Sequence, residues 1–495
     1  MALLSFFRNF AALKDMKEKK QKRSEALLAA IREGRTMGRS DMLSLIISLS
    51  IPSILAQLTN VMMFFIDQAM VGSLGAEAPA AIGLVESTIW LFGGLSGAVS
   101  MGFSVQAAHF IGANDFVKAR QVVRHGILTC LAVSMVVMLT ATLISQPLPY
   151  WLGGGEDIAG DASIYFLIFA MAVPFMQMNN LAASMLKCEG NMRVASALSV
   201  TLCVLDMLFN FFFIFPTRDI HFSLFTLHFS LSVPGAGLGV MGAALGTATA
   251  FVLTAVVQGW FAFVRSPILA VRRVGEPFRL VTGYLKNAVK IGVPMALQSG
   301  LMSGAQIVST MIVAPLGNFS IAANTFAITA ESLCYMPGYG IGDAATTLVG
   351  QSKGAGRLEL CRSFAWMTVG LGMAVMALMG VVMYVFAPEM MGLMTPVAEI
   401  RALGTEALRI EAFAEPMFAA SIVAYCVCIG AGDTLKPAIM NLFSMWCIRL
   451  TMAWWLARDY GLQGVWFAMA VELSFRGIIF LIRLWRGKWM KTLKN

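Results

Sequence analysis

Adding 242 to a residue number in this chain, from Pro52 onward, lands repeatedly on the same or a similar residue. Pro52 falls on Pro294, Leu74-Gly75 on Leu316-Gly317, Ala80-Ala81 on Ala322-Ala323 and Gly112-Ala113 on Gly354-Ala355. Arg120 falls on Arg362, Pro174 on Pro416 and Gly190 on Gly432. Most positions between these landmarks differ, yet one offset holds without a gap across four apolar spans. An apolar unit written twice in one chain implies a secondary transporter, whose binding site lies between two half-molecules.

The medium follows from composition. Mean hydropathy is +0.75 and only 13% of residues are charged, against about 25% in a soluble domain. Twelve stretches are long enough to cross a hydrocarbon layer of roughly 30 Å as helices of about 20 residues. They are expected at 45–71, 80–108, 122–145, 162–184, 194–215 and 238–263, then 288–314, 320–349, 363–386, 404–429, 437–457 and 463–483. Six spans per half return each half to the side it started from. The two halves are therefore parallel, related by an axis along the membrane normal. The expected fold is an all-α integral membrane protein with twelve transmembrane helices in two six-helix lobes. Its divisions are a basic N-terminal segment (1–42), a first lobe (43–265), a linker (266–287), a second lobe (288–485) and a tail (486–495).

Charge tests the span count, because Lys and Arg near span ends collect on the cytoplasmic side. With both termini inside, 30 of the 36 basic residues fall in the N-terminal segment, the even-to-odd loops and the C-terminal tail. A wrong count would scramble that asymmetry. The net charge of +9 thus marks an inner face against anionic lipid, and nucleic acid is not needed to explain it. The short apolar start MALLSFF runs into charge rather than a small-residue cleavage site, so no signal peptide is expected and Lys14 to Arg23 reads as a basic arm. Compact loops point to a cytoplasmic (inner) membrane.

The repeat breaks once. Aligning Gly239-Val240-Met241-Gly242 with Gly461-Leu462-Gln463-Gly464 changes the offset to 222, which places about 20 extra residues between spans 5 and 6. Partial alternation within this insert (216–237) predicts an external hairpin; its His221 and His228 read as part of a stiffening loop. Pro174 and Pro416 occupy matching places in spans 4 and 10, where a proline frees backbone carbonyls and can hinge a helix. The eight cysteines lack C-x-x-C spacing and read as small packing residues.

Chemistry concentrates in acids placed inside spans, since a charge at membrane depth costs about 2.5 to 3.5 kcal/mol or more. These are Asp67, Glu86, Asp206, Glu331, Asp343, Glu411, Glu415 and Glu472. Asp67 stands in span 1 within FFIDQAMVGSLG. Asp206 and Asn210 are four apart in span 5 and share a helix face; Thr247 in span 6 follows the small residues Gly242-Ala243-Ala244. A carboxyl in such surroundings can hold a proton, a sodium ion or a cationic substrate in turn, which is the simplest coupling device for an antiporter.

On these residues the chain resembles a multidrug and toxic compound extrusion (MATE) transporter over residues 45–485. The landmarks are Pro52 with Asp67 and VGSLG, Gly112-Ala113, the 189–193 stretch Glu-Gly-Asn-Met-Arg, GDTLKP at 432–437 and GLQGVWFA at 461–468. The resemblance implies two six-helix lobes around a central cavity and export of organic cations in exchange for protons or sodium. It also implies a cation site at Asp67, Asp206, Asn210 and Thr247. The helix 5 pair stands in swapped order here, Asp before Asn. Where some relatives carry a glutamate after the helix 7 proline this chain has Met302, so Asp343, Glu411 and Glu415 are the substitute acids, with Arg409 a partner for one of them. Arg449 is expected to bond across helices.

Tyr335, Met336 and Tyr339 suit apolar cations through soft packing and cation-π attraction. No cofactor, no metal beyond sodium, and a monomer in membrane lipid are expected. The alternative is a flippase for a lipid-linked saccharide or cell-wall precursor, which requires inward-facing basic residues, whereas acids outnumber Arg409, Arg449 and Arg476 in the spans. Neither a G-x-x-x-x-G-K-[ST] loop nor an H-E-x-x-H motif is present to support an enzyme.

Overall fold

A computed structural model describes residues 21–75, 77–224, 227–273 and 278–491, without the side chains of 218–233. Residues 1–20, with most of the basic arm, and the two hairpin histidines thus lie outside the described parts.

Long apolar runs bounded by glycine and capping residues fold into twelve spans. The first six are α1 (Arg39–Gly72), α2 (Glu77–Gly112), α3 (Phe116–Ile144), α4 (Glu156–Glu189), α5 (Met192–Ile214) and α6 (Gly239–Arg265). The second lobe has α7 (Thr282–Leu316), α8 (Asn318–Gly354), α9 (Leu358–Met394) and α10, in two pieces, Ala398–Ala412 and Glu415–Gly430. A continuous helical stretch, Leu435–Arg486, is divided at Gly461, whose φ of 56° and ψ of −137° are not helical, into α11 (435–460) and α12 (462–486). Short turns are closed by side-chain caps: Asp115 accepts from the Lys118 amide at 3.1 Å before α3, and Asn191 from the Val194 amide at 3.4 Å before α5.

Duplication is visible in the backbone itself. Positive φ occurs at Gly75 and Gly317, at Asn114 and Gly356, and at Gly190 and Gly432, each pair 242 apart, and at Gly239 and Gly461, 222 apart. The change of offset is the predicted insert, an antiparallel hairpin of β1 (Pro216–Leu224) and β2 (Leu227–Ala236). It is the one departure from an all-helical chain among the described residues.

The pseudo-two-fold axis passes between the ends of α2 and α8. A Cβ on Gly112 would lie 2.0 Å from the Gln351 carbonyl oxygen, and one on Gly354 would lie 1.9 Å from that of His109. Only glycine lets the two backbones touch this way. Around this crossing, Gln351 donates to the Cys188 carbonyl and His109 contacts the Gly430 carbonyl, both at 2.8 Å. These four residues are also paired by the 242 offset. Lobe-to-lobe contact thus includes this crossing at the end that carries the basic loops, and it continues along α2 and α7 through Gly102 with Ala288 to Gly94 with Ser299.

The helix at 21–32 lies against both lobes there. Its Ala30 carbonyl accepts from Arg357 of the second lobe and its Arg32 carbonyl from Asn114 of the first, each at 3.2 Å. Leu28 and Ile31 join a buried apolar cluster with Leu45, Met192, Leu348, Phe364 and Trp489.

The two predicted hinge prolines are not equivalent. Span 10, expected as one helix, is bent by 62° between its pieces, and Pro416 sits in the first turn after the break. At that position no amide donor is required of it. Pro174 lies inside α4, which runs unbroken from Glu156 to Glu189. The two matched prolines thus sit differently in this structure, Pro174 within a continuous helix and Pro416 just after a break.

Candidate functional site

Three helices of the first lobe bring the sequence-selected polar residues together. α6 presses on α5 through two glycines a turn apart: a Cβ on Gly242 would sit 2.4 Å from the Phe213 carbonyl oxygen, and one on Gly246 would sit 2.0 Å from Asn210 Oδ1. That approach seats Asn210 between the two acids. Its Nδ2 donates to Asp67 Oδ1 at 3.0 Å and lies 3.3 Å from Asp206 Oδ2. Asp206 and Asn210 are each 1% exposed, and the Oδ1 atom of each has no hydrogen-bond partner. The Thr247 hydroxyl neighbours Asp206 and lines, with Tyr165 and Phe169, a pocket of about 20 Å³, room for roughly one water. Two carboxylates, an amide and a hydroxyl converge, with no basic side chain among the described residues bonded to them. Oxygen donors of this kind suit a proton or a small hard cation.

A second acidic cluster lies in the other lobe. Glu331 of α8 and Glu411 and Glu415, on either side of the α10 break, face one another and Arg449 of α11. Glu411 and Glu415 are 0% exposed, and none of their carboxylate oxygens has a hydrogen-bond partner. Arg449, at the end of a π-helical turn (Ser444–Arg449), reaches Met469 of α12 and leaves its Nε unpaired. Beside it Glu472 binds Arg476 at 2.6 Å and accepts from Ser444. The four glutamates exceed the two arginines, so this interior too holds more acid than base. Tyr335 packs edge-on against Tyr339 at 6.0 Å and against Phe418 at 5.5 Å, and Tyr339 is exposed. Aromatic faces thus lead from the surface toward the acids. Among the described residues no group of three or more His, Cys, Asp or Glu is arranged to hold a metal ion.

The MatE family profile matches residues 52–212 and 294–455, one match in each lobe, whose starts are 242 apart. The chain belongs to the MatE family. Its similar MatE relatives include a protein of Thermotoga maritima named "Probable multidrug resistance protein NorM", 25% identical over 90% of this chain and 93% of that one. One of the same name from Burkholderia pseudomallei is 27% identical over 88% and 91%. A solved MATE structure in the "straight conformation" superposes with a TM-score of 0.82 at 22% identity, covering 91% of this chain and 97% of that one. It shares the fold.

Within this MatE chain two sequence expectations are corrected. Asp343 does not join Glu411 and Glu415: its Oδ2 pairs with Lys187 of α4 at 2.8 Å and accepts from Ser53 of α1 at 2.5 Å. Twelve residues along α8, about 18 Å, separate it from Glu331. Arg409 pairs with neither neighbouring glutamate, lying instead over the Tyr384 ring at 5.4 Å and donating to the Tyr384 carbonyl. A 3.6-residue period turns position 409 to the face of α10 away from the buried acids.

Sequence reasoning missed Tyr165, which neighbours both first-lobe acids from α4, and the pairing of Lys187 with Asp343. The signal for Lys187 was its place in the Lys-Cys-Glu-Gly turn, inside a span end rather than beyond it. Tyr165 had no such marker.

Proposed function

We propose that the chain is a secondary antiporter that exports organic cations in exchange for protons or sodium by alternating access, with the ion held at Asp67, Asp206, Asn210 and Thr247. The observation that carries this reading is the Asp67–Asn210–Asp206 cluster, two acids bridged by one buried amide with no ion-pair partner among the described residues. An ion arriving there cancels one of the two negative charges the acids can carry; a cationic substrate and the ion then compete for that negative charge. Such exchange works only if each binds one state better than the other. Tyr335 and Tyr339 beside Glu331, Glu411 and Glu415 are the proposed contacts for the cation in the second lobe. The names of the NorM relatives support drug-like cargo.

The Lys and Arg distribution supports an inner-membrane orientation with both termini cytoplasmic. In that orientation the lobes meet on the cytoplasmic side. The flippase alternative needs free cations between the lobes, and Lys187, the cation of the pocket lined by Met101, Ser104, Thr346 and Thr347, is tied to Asp343.

The test is counterflow of ethidium in proteoliposomes under an imposed proton or sodium gradient. Asp67→Asn and Asp206→Asn should each lower gradient-driven exchange at least about tenfold. Undiminished exchange overturns the ion site, and transfer of a lipid-linked saccharide in place of ethidium supports the alternative.

A further inference from the structure

Between α11 and α12, at the basic end of the second lobe, lies a groove of about 560 Å³. Its floor is apolar, formed by Met440, Phe443, Phe475 and Ile479, and its rim carries Lys436, Arg483, Arg486 and Lys488. Among the described residues Lys436, Arg486 and Lys488 have no acidic partner. Arg483 gives one guanidinium nitrogen to Asp433, while its Nε is buried without a hydrogen-bond partner. That nitrogen is turned inward, so the groove's charge comes from the remaining guanidinium of Arg483 and from Lys436, Arg486 and Lys488, and four cations on one rim select an anionic occupant.

The two halves of the groove also differ in depth. Phe475 precedes Arg486 by eleven residues, about 16 Å along the helix, so the floor lies at the level of acyl chains when the rim lies at the headgroups. We propose that this groove binds an anionic phospholipid of the membrane. Its phosphate is held by Arg483, Arg486, Lys436 and Lys488, and an acyl chain lies along Phe443, Phe475 and Ile479. A zwitterionic lipid brings its own cation to a rim that is already positive and is disfavoured.

The experiment uses the full chain, purified in detergent and titrated with phosphatidylglycerol or with phosphatidylcholine of the same chain length, bound lipid being read by native mass spectrometry. Wild type should retain phosphatidylglycerol in preference. The variant Lys436→Gln/Arg486→Gln/Lys488→Gln should lose that preference on the order of a hundredfold, about fivefold per cation. Arg279→Gln/Lys286→Gln/Arg362→Gln, which removes equal charge from exposed positions elsewhere, should keep it. Equal retention of both lipids by wild type, or an undiminished preference in the groove variant, overturns the proposal. Should the triple variant not fold, Lys436→Gln and Arg486→Gln singly give the same reading at about fivefold each, and no change in either overturns it. Soluble glycerol phosphate displacing the lipid at equal concentration would overturn the role of the apolar floor.

Discussion

His109 meets Gly430 across the lobe boundary, its ring Nε2 lying 2.8 Å from the carbonyl oxygen at the end of α10. Gln351 makes the corresponding contact to Cys188 at the same distance. A histidine and a glutamine thus do one job, each presenting an N–H to a carbonyl that a helix end leaves without an intrahelical donor.

From this equivalence, His109→Gln should be tolerated, with Tm within about a degree of wild type. His109→Ala strands a buried carbonyl and should cost about 1–3 kcal/mol. Thermal unfolding of the two variants in detergent checks the contrast; equal Tm values would remove the contact from the forces joining the lobes.

Gly112→Ala and Gly354→Ala should destabilise to a similar extent, by about 1–3 kcal/mol. Each methyl group meets backbone rather than a side chain that can turn away. Because the two glycines face each other's helix, the double variant should be less than additive. Three unfolding curves against wild type measure this, and strict additivity would deny that the contacts are one.

Gly246→Ala drives a methyl group against Asn210 Oδ1 and should reduce gradient-driven exchange in proteoliposomes by about tenfold or more, with a stability loss of about 1–3 kcal/mol. Adding Asn210→Ala removes the Oδ1 contact but leaves the backbone nitrogen of residue 210 at 2.9 Å, so Tm should recover in part and exchange not at all. Recovery of both would mean that Asn210 serves packing alone.

Lys187→Ala and Asp343→Ala each leave a partly buried charge unpaired, with side chains 28% and 24% exposed. A double-mutant cycle should give a coupling of about 1–3 kcal/mol, because water reaches the pair and discounts it. A coupling near zero would demote the contact to a surface ion pair.

Periodicity and duplication made most of the fold legible before any coordinates. Apolar run length located the spans, their even number gave the parallel arrangement and the change of offset placed the insert, because helix register and positive-φ turns are local properties of the chain. Asp206 and Asn210 were legible as one face for the same reason, and Asp67 as an acid stranded in an apolar run. Asp343 was not: the partner that claims it, Lys187, is 156 residues away in another lobe, and nothing in either neighbourhood records that contact. The α10 break was marked only indirectly, since Phe413-Ala414 carries no breaking residue: Pro416 stands just beyond it, and Ala398–Ala412 has five charged residues against one in Glu415–Gly430.

The crossing of α2 and α8 sits at one tip of each helix, at Gly112 and Gly354, with no side chain between the backbones. It is placed like a fulcrum. From Gly112 back to Glu77 is about 53 Å of helix, so a tilt of only about 10° about the crossing swings the far tip by about 9 Å. A rigid tilt of that size would part the two halves of the repeat at the opposite face while barely moving the backbones at the crossing.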